Sequence, residues 1–554
     1  MISWAAIPQP RSFTPAGGRL LLADVTVVGG SGCEREAERL RAELRELGLT
    51  TPSGDVSSEG VATPSGSAPA GSGGTIISLK LDPGLDTIPG TIDAERAEIV
   101  VTMDGVRIRA VAGAGLFRAT RQILHNVRAR GYVPCGVAWV APAVAERGLH
   151  LDAARKFFPA HWIKDELRRA ADVGVNAFQW HFSENEGFRL ENPGHPEVMS
   201  AHVITRAEAA EIIELARDLH ISVIPSLDMP GHLRKALAEH PDLQLPAAQR
   251  PADAEPLAIP DTGHALNIAE PAAMEFAHAL INDMADVFAG CHAWNLGGDE
   301  FVDFAHIDAY PGLGRAARER FGPDATGFDL LTAAVNEIAD DVAARGFEPR
   351  VWNDGMFRAR HVRLDPRVKV TWWTNWHAEM VPVNVALGEG HGVVNFNDAL
   401  FYYVLGENAG YRYPTAARVW EADWHPGLFP SLPGGHRQEI LAGELAGAHA
   451  GAHAEARAGA AATASGRADI GERADGTAVG GEASRSGYPA QLVGAYFSVW
   501  ADKPQAQSAR EVSDGIRPGL RALAERSFNA GSKLTLDEFC ELDAAIGVPG
   551  PAVS

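Results

Sequence analysis

The chain has 554 residues, too many for one ordinary domain and enough for two. Its 49 lysines and arginines stand against 71 aspartates and glutamates, and the net charge of −22 argues against general binding to nucleic acid or acidic membranes. Four cysteines, far apart and without a CxxC pair, indicate neither a disulfide framework nor a zinc ribbon.

The first residues, MISWAAIPQPRSFTPAGG, lack a basic segment followed by an apolar one, so no signal peptide is read there. No apolar run approaches the roughly 20 residues of a membrane helix, and a cytoplasmic location is expected. Residues 1–142 are expected to form a small α/β domain with an antiparallel sheet. TIISLKL (75–81) alternates like a strand. In AEIVVTMDGVRIRAVA, Asp104-Gly105 separates two alternating runs, a hairpin signal. AGLFRATRQILHNV then places Leu116, Ala119, Ile123 and Leu124 on one helix face. Residues 51–74 are nearly all small and turn residues and read as a flexible insertion.

From Glu146 onward, strands alternate with helices. The candidate strands cover 149–152, 177–182, 223–228, 293–297, 350–353, 368–373, 393–395 and 493–500. Helices are expected over 206–219, behind a T-x-x-E capping box at Thr205 and Glu208, over 271–288, with Pro271 in the first turn, and over 329–345. Eight strands with intervening helices suggest a (β/α)8 TIM barrel over 143–530, with a low-complexity insertion at 442–487 and a C-terminal tail at 531–554. A doubly wound open sheet has the same periodicity. The barrel is preferred because acidic, polar and aromatic residues gather at the strands' C-terminal ends, where barrel enzymes place their chemistry.

Those ends supply Asp152 and Arg155, then His181, Glu184, Asn185 and Glu186, then Asp228 and His232. Asp299 and Glu300 follow in WNLGGDEF, Trp352 and Asp354 in VWNDGMF, and Trp372, Trp373 and Trp376 in VTWWTNW. Tyr402 and Tyr403, then Trp500 and Asp502, complete the set. Singly, each has an ordinary reading: a tryptophan in packing, Arg155 paired with Asp152, His232 in a turn. Converging on one barrel mouth, they suit a sugar, whose C–H faces stack on aromatic rings and whose hydroxyls need fixed polar partners. A buried, protonated carboxyl can then donate to the glycosidic oxygen. Neighbours in a strand point to opposite faces, so Asp299 and Glu300 are not expected to flank one bond. The usual layouts need opposed carboxyls about 5–5.5 Å or about 6.5–9.5 Å apart.

The motifs RGLHLDAARKFF, DMPGH, NLGGDE and WAD, with the looser HFSEN and the stretch VVNFNDALFYYVL, resemble those of the family 20 glycoside hydrolases, the β-N-acetylhexosaminidases. The N-terminal α/β region is similar to the small domain that precedes the barrel in that family. The resemblance implies a retaining exo-glycosidase acting on terminal β-linked N-acetylhexosamine by substrate assistance, through an oxazolinium-type intermediate, with no cofactor and no metal. Glu300 would be the general acid and base, and Asp299 would hold the substrate's 2-acetamido group. Arg155 and Asp502 would bind sugar hydroxyls. Trp352, Trp372 or Trp373, and Trp500 would line the pocket, and Tyr402 or Tyr403 would donate to the acetamido oxygen. His232 would support Glu300, backed by Glu184. The sequence departs from the family pattern where Glu184 replaces an aspartate and Asn295 a histidine; Asn295 is expected behind the reacting groups. The partner expected is an N-acetylhexosamine-containing glycan, neither nucleic acid nor membrane. Release of a disaccharide, as in lacto-N-biosidases, and a catalytically impaired carbohydrate-binding homologue are the alternatives. A metal-dependent hydrolase using His150, Asp152, His181, His232 and Asp299 is disfavoured by the absence of an H-x-H or H-E-x-x-H motif.

Overall fold

Two β-sheets, each with its own buried apolar cluster, organise the chain. The computed structural model describes residues 3–50, 74–251, 253–259, 263–441 and 487–549. The insertions expected at 51–74 and 442–487 fall outside these, apart from Gly74 and Gly487.

The first sheet has six strands in the spatial order Ser12–Leu20, Val133–Val140, Ala97–Val101, Gly105–Ala110, Ile76–Leu81 and Thr26–Gly29. The first three pairings are antiparallel and the last two parallel. The hairpin expected at Asp104-Gly105 pairs Ile99 with Ile108 and Val101 with Val106. Gly105 is required there, because a Cβ would lie 2.4 Å from the carbonyl oxygen of Ile76. Helix Gly113–Arg130 buries Leu116, Ala119, Ile123 and Leu124 and ends at Gly131 in the left-handed conformation.

Eight parallel strands of the ten-stranded second sheet make up its ring: Glu146–Asp152, Ala177–Glu184, Ser222–Leu227, Ala293–Asn295, Glu348–Trp352, Lys369–Trp372, Val393–Asn395 and Leu492–Trp500. Each pairs with the next, and the last pairs with the first, so the sheet closes into a barrel. Alternation sorts the side chains. Leu149, Leu151, Phe178, Trp180 and Phe182 join the large core around the barrel, whereas Trp352, Phe396 and Tyr496 fill its interior. The fourth strand stops at Asn295, two residues earlier than expected, because Gly297 and Gly298 take φ of 83° and 92°.

Thr205 and Glu208 form the expected capping box on helix Arg206–Asp218. Helices Pro271–Ala285 and Gly327–Ala344 match the other two expectations to within a turn. Residues 531–554, read as a tail, instead carry helix Leu536–Ile546, capped by Thr535 and Glu538. It buries Phe539 and Ile546, and Asp543 ties it back to Arg517 at 3.1 Å. So short an amphipathic run has little periodicity to show in sequence. Among the described residues no helix is long and apolar enough to cross a membrane.

Candidate active site

The fourth strand ends in a turn built by side chain and backbone together. Oδ1 of Asn295 accepts the N–H of Gly297 at 2.9 Å, while its amide donates to Thr371 Oγ1 at 3.3 Å. Gly297 lies so close to the loop after the third strand that a Cβ would sit 2.7 Å from Asp228 Cα. The N–H of Met229 donates to Leu296 O at 2.9 Å, stitching the two loops together. This interlock carries His232 onto Asp299 and Glu300.

Glu300 adopts a left-handed backbone, φ 42°, with its N–H donating to Asp354 Oδ2 at 3.0 Å. The pair therefore lies beyond the strand, in a turn, and the opposite-faces expectation is corrected: the carboxylates converge. Nε2 of His232 is 3.4 Å from Asp299 Oδ2 and 3.5 Å from Glu300 Oε2.

Behind the imidazole, Oε1 of buried Glu184 contacts both Nδ1 of His232 and a guanidinium nitrogen of Arg155. Burial pushes Glu184 up, but the Arg155 and His232 cations outweigh it and hold the carboxyl well below its ordinary value. Burial likewise pulls His232 down, yet Glu184 and then Asp299 lift it well above the usual imidazole range. Asp299 moves up, through burial first and then the nearby Asp228. Asp228, also buried, moves the same way. The site thus holds an imidazolium between the ionised Glu184 and Asp299, whose carboxyl burial and the neighbouring Asp228 push toward its neutral form. Oδ1 of Asp299 has no hydrogen-bond partner among the described residues.

Arg155 is paired, as one of its two readings expected, and also reaches the cleft. It pairs with Asp152 and Glu186, each at 3.1 Å, and its guanidinium lies 5.7 Å from the ring of Trp500 while lining the cleft. That cleft, about 550 Å³, opens at the C-terminal mouth of the barrel between Arg155, His232, Asp299 and Glu300 on one side and an aromatic wall on the other. Trp352, Trp373, Tyr402 and Trp500 line it. Asp502 lines its exposed rim and accepts from Asn408 at 3.5 Å.

Strand alternation separates the two ambiguous pairs. Trp373 faces the cleft, donates Nε1–H to Asp354 Oδ1 at 3.0 Å and stacks on Tyr402 with planes 2° apart. Trp372 points into the surrounding core and donates to Asn375 at 2.7 Å. Tyr402 faces the cleft, and burial followed by Tyr411 and Asp398 keeps its phenol protonated. Tyr403 points away, stacking on Tyr413 and accepting from Gln507 at 2.9 Å. Trp372 and Tyr403 are therefore not brought to the site. Asn295 and Glu184 are buried behind it, outside the lining.

Sequence reasoning assigned no role to Asp354, although it named the residue at a strand end; the aspartate braces both Glu300 and Trp373. It placed Trp376 at a strand end without using it, and missed Tyr411 altogether. Both line the cleft. Tyr411 lies in a loop beyond the short strand Tyr402–Val404, where no periodicity marks it. Among the described residues no group of three His, Cys, Asp or Glu is disposed to hold a metal ion. Burial lowers His181 to about 3, and that ring sits against Ser226 Oγ at 3.1 Å.

The chain matches the glycosyl hydrolase family 20 catalytic-domain model over residues 145–529 and the model of domain 2 of that family over residues 4–138. A lacto-N-biosidase of Bifidobacterium bifidum is 26% identical over 527 residues, covering 95% of this chain and 40% of that protein. A β-hexosaminidase of Vibrio furnissii is 26% identical over 262 residues, 43% of this chain and 41% of that protein. The chain thus spans less than half the length of these curated relatives. The crystal structure of a β-N-acetylhexosaminidase from Bacteroides fragilis superposes with a TM-score of 0.67 at 18% identity, covering 98% of this chain and 94% of that one. At that identity the likeness speaks for the fold.

Proposed function

The chain belongs to glycosyl hydrolase family 20, and from that premise we propose that it removes a terminal β-linked N-acetylhexosamine from a glycan, with retention of configuration. One observation carries the reading: Asp299 and Glu300 stand on the same side of the cleft, at one imidazole nitrogen, and not across a bond from each other. Family 20 is an exception to the opposed-carboxylate layout, and the geometry here suits the exception.

In this mechanism the substrate's acetamido oxygen attacks its own anomeric carbon as Glu300 gives a proton to the leaving oxygen. The Tyr402 phenol, a protonated donor, orients the acetamido oxygen. The unpartnered Oδ1 of Asp299 receives the acetamido N–H. Positive charge growing on that nitrogen as the oxazolinium forms strengthens its hydrogen bond to the Asp299 carboxylate, with no proton leaving the pair. The attraction is therefore greatest in the transition state, which is where it accelerates the reaction. Glu300 then takes a proton from water, which opens the ring from the opposite face. Trp352, Trp373 and Trp500 exclude water and stack on the sugar, and Arg155 and Asp502 hold its hydroxyls.

A second reading, release of a disaccharide, is favoured by the relative that spans nearly all of this chain, whose name is lacto-N-biosidase. Aryl β-glycosides of N-acetylglucosamine, N-acetylgalactosamine and a galactosyl-N-acetylglucosamine disaccharide separate the readings. Turnover of a monosaccharide donor with a β-configured first product supports the first. Turnover of the disaccharide donor alone supports the second, and turnover of none leaves a carbohydrate-binding homologue.

A further inference from the structure

The aromatic wall divides by depth. Trp352, Trp373 and Tyr402 are nearly buried, whereas Trp376 is 52% exposed and forms the outer lip of the cleft. An exposed indole on a surface is ordinarily mobile, but this one is tied down. Its Nε1–H donates to Oδ2 of Asp398 at 2.9 Å, and the Tyr411 hydroxyl donates to the same oxygen at 3.2 Å. The backbone N–H of Asp398 in turn donates to Trp373 O at 3.1 Å. Trp376 packs edge-on against Trp373 with ring centroids 4.6 Å apart, and Tyr411 leans on Tyr402 at 5.6 Å. Asp398 itself is buried and does not line the cleft.

We propose that Asp398 is a positioning residue: one carboxylate oxygen fixes Trp376 and Tyr411 as a rigid outer lip that recognises the sugar beyond the cleaved bond. The site needs two kinds of contact. Its floor must grip one terminal ring, while the rest of the glycan leaves through the mouth, where Trp376 presents the only half-exposed aromatic face among the described lining residues. A flat ring held in place stacks on a pyranose without first losing rotamer freedom. The two donors consume the charge of Asp398 locally, so the carboxylate need touch no substrate.

The kinetic test rests on the glycosidase reading. It compares a β-linked N-acetylglucosamine disaccharide with N-acetylglucosaminyl fluoride, whose leaving group is a single atom, in wild type, Asp398→Ala and Asp398→Asn. We expect Asp398→Ala to lower kcat/KM on the disaccharide about tenfold more than on the fluoride, mainly through KM. Asp398→Asn, which keeps an acceptor oxygen for both donors, should recover most of that difference. Equal losses on both substrates, or an asparagine variant as damaged as the alanine one, would overturn the proposal. A second measurement needs no turnover. Subtracting the emission of Trp376→Phe isolates the Trp376 indole, and Asp398→Ala should raise its acrylamide quenching about twofold or more. Unchanged quenching would overturn the clamp. Failure of the wild type on both substrates would instead overturn release of a single N-acetylglucosamine, with the quenching experiment still deciding the clamp.

Discussion

Oε2 of Glu300 lies 3.5 Å from Nε2 of His232, on the same nitrogen that Asp299 Oδ2 approaches to 3.4 Å. Two acids adjacent in sequence thus share one cation, and the same imidazole carries Glu184 on its other nitrogen. This sharing is possible because Glu300 and His232 both take left-handed backbone conformations, at φ 42° and 55°, on loops packed too closely to admit a side chain at Gly297.

Glu300→Gln removes the proton donor and leaves the shape intact. We expect kcat on an oligosaccharide to fall about 10²–10⁴-fold, and less on an aryl glycoside whose leaving group needs little protonation. Steady-state kinetics on the two substrates checks this; equal losses would assign Glu300 another role.

Asp299→Asn keeps the hydrogen-bonding shape but not the charge that answers the oxazolinium. A fall in kcat of about 10²–10³-fold is expected, the range found for removing a group aimed at transition-state charge. Near-normal turnover would mean that the roles of the pair are misassigned.

Glu184 is the residue on which the site's charge balance turns. Its folded pKa is depressed, so its contribution to stability is present above the ordinary glutamate value and is lost as pH falls through the lowered one. His232 is raised, so its contribution is full below the ordinary imidazole value and is lost as pH rises through the raised one. Glu184→Gln leaves Arg155 and His232 short of a buried partner, at a cost of about 3–5 kcal/mol. It also lets His232 lose its proton at lower pH. A lower Tm and an alkaline limb of kcat/KM shifted toward acid are the expected readouts.

Asp398 carries the opposite sign. Burial raises it from the ordinary aspartate value to about 6, so the folded state binds its proton more tightly than the unfolded one. Stability from this group is full below the unfolded value and declines as pH rises to about 6. Asp398→Asn escapes that decline, worth up to about 3 kcal/mol at about 1.4 kcal/mol per unit. Its Tm relative to wild type should therefore be higher at pH 8 than at pH 4.

The fold was legible because its signals are local. The succession of strand-like and helical stretches from Glu146 onward marked all eight barrel strands, the Thr205–Glu208 box marked a helix start, and Asp104-Gly105 marked a hairpin. The acids and aromatics at the strand ends led to the cleft for the same reason. Other features depend on conformation or on distant contacts. Which of Trp372 and Trp373, or of Tyr402 and Tyr403, turns inward is a matter of register, and a one-residue slip exchanges the faces. That Asp299 and Glu300 converge required the left-handed turn at Glu300, which an ordinary strand reading excludes. Asp354, Asp398 and Tyr411 act through partners up to 54 residues away in sequence, as Asp354 does through the N–H of Glu300, and no spacing rule finds such pairs.

The central claim is that the substrate supplies its own nucleophile. The most direct measurement is kcat/KM on two aryl β-glucosides that differ only at C2, one with an acetamido group and one with a hydroxyl. An intramolecular nucleophile in place is worth many orders of magnitude, so the acetamido substrate should be preferred by at least about a thousandfold. Comparable turnover of the two glucosides would contradict the account.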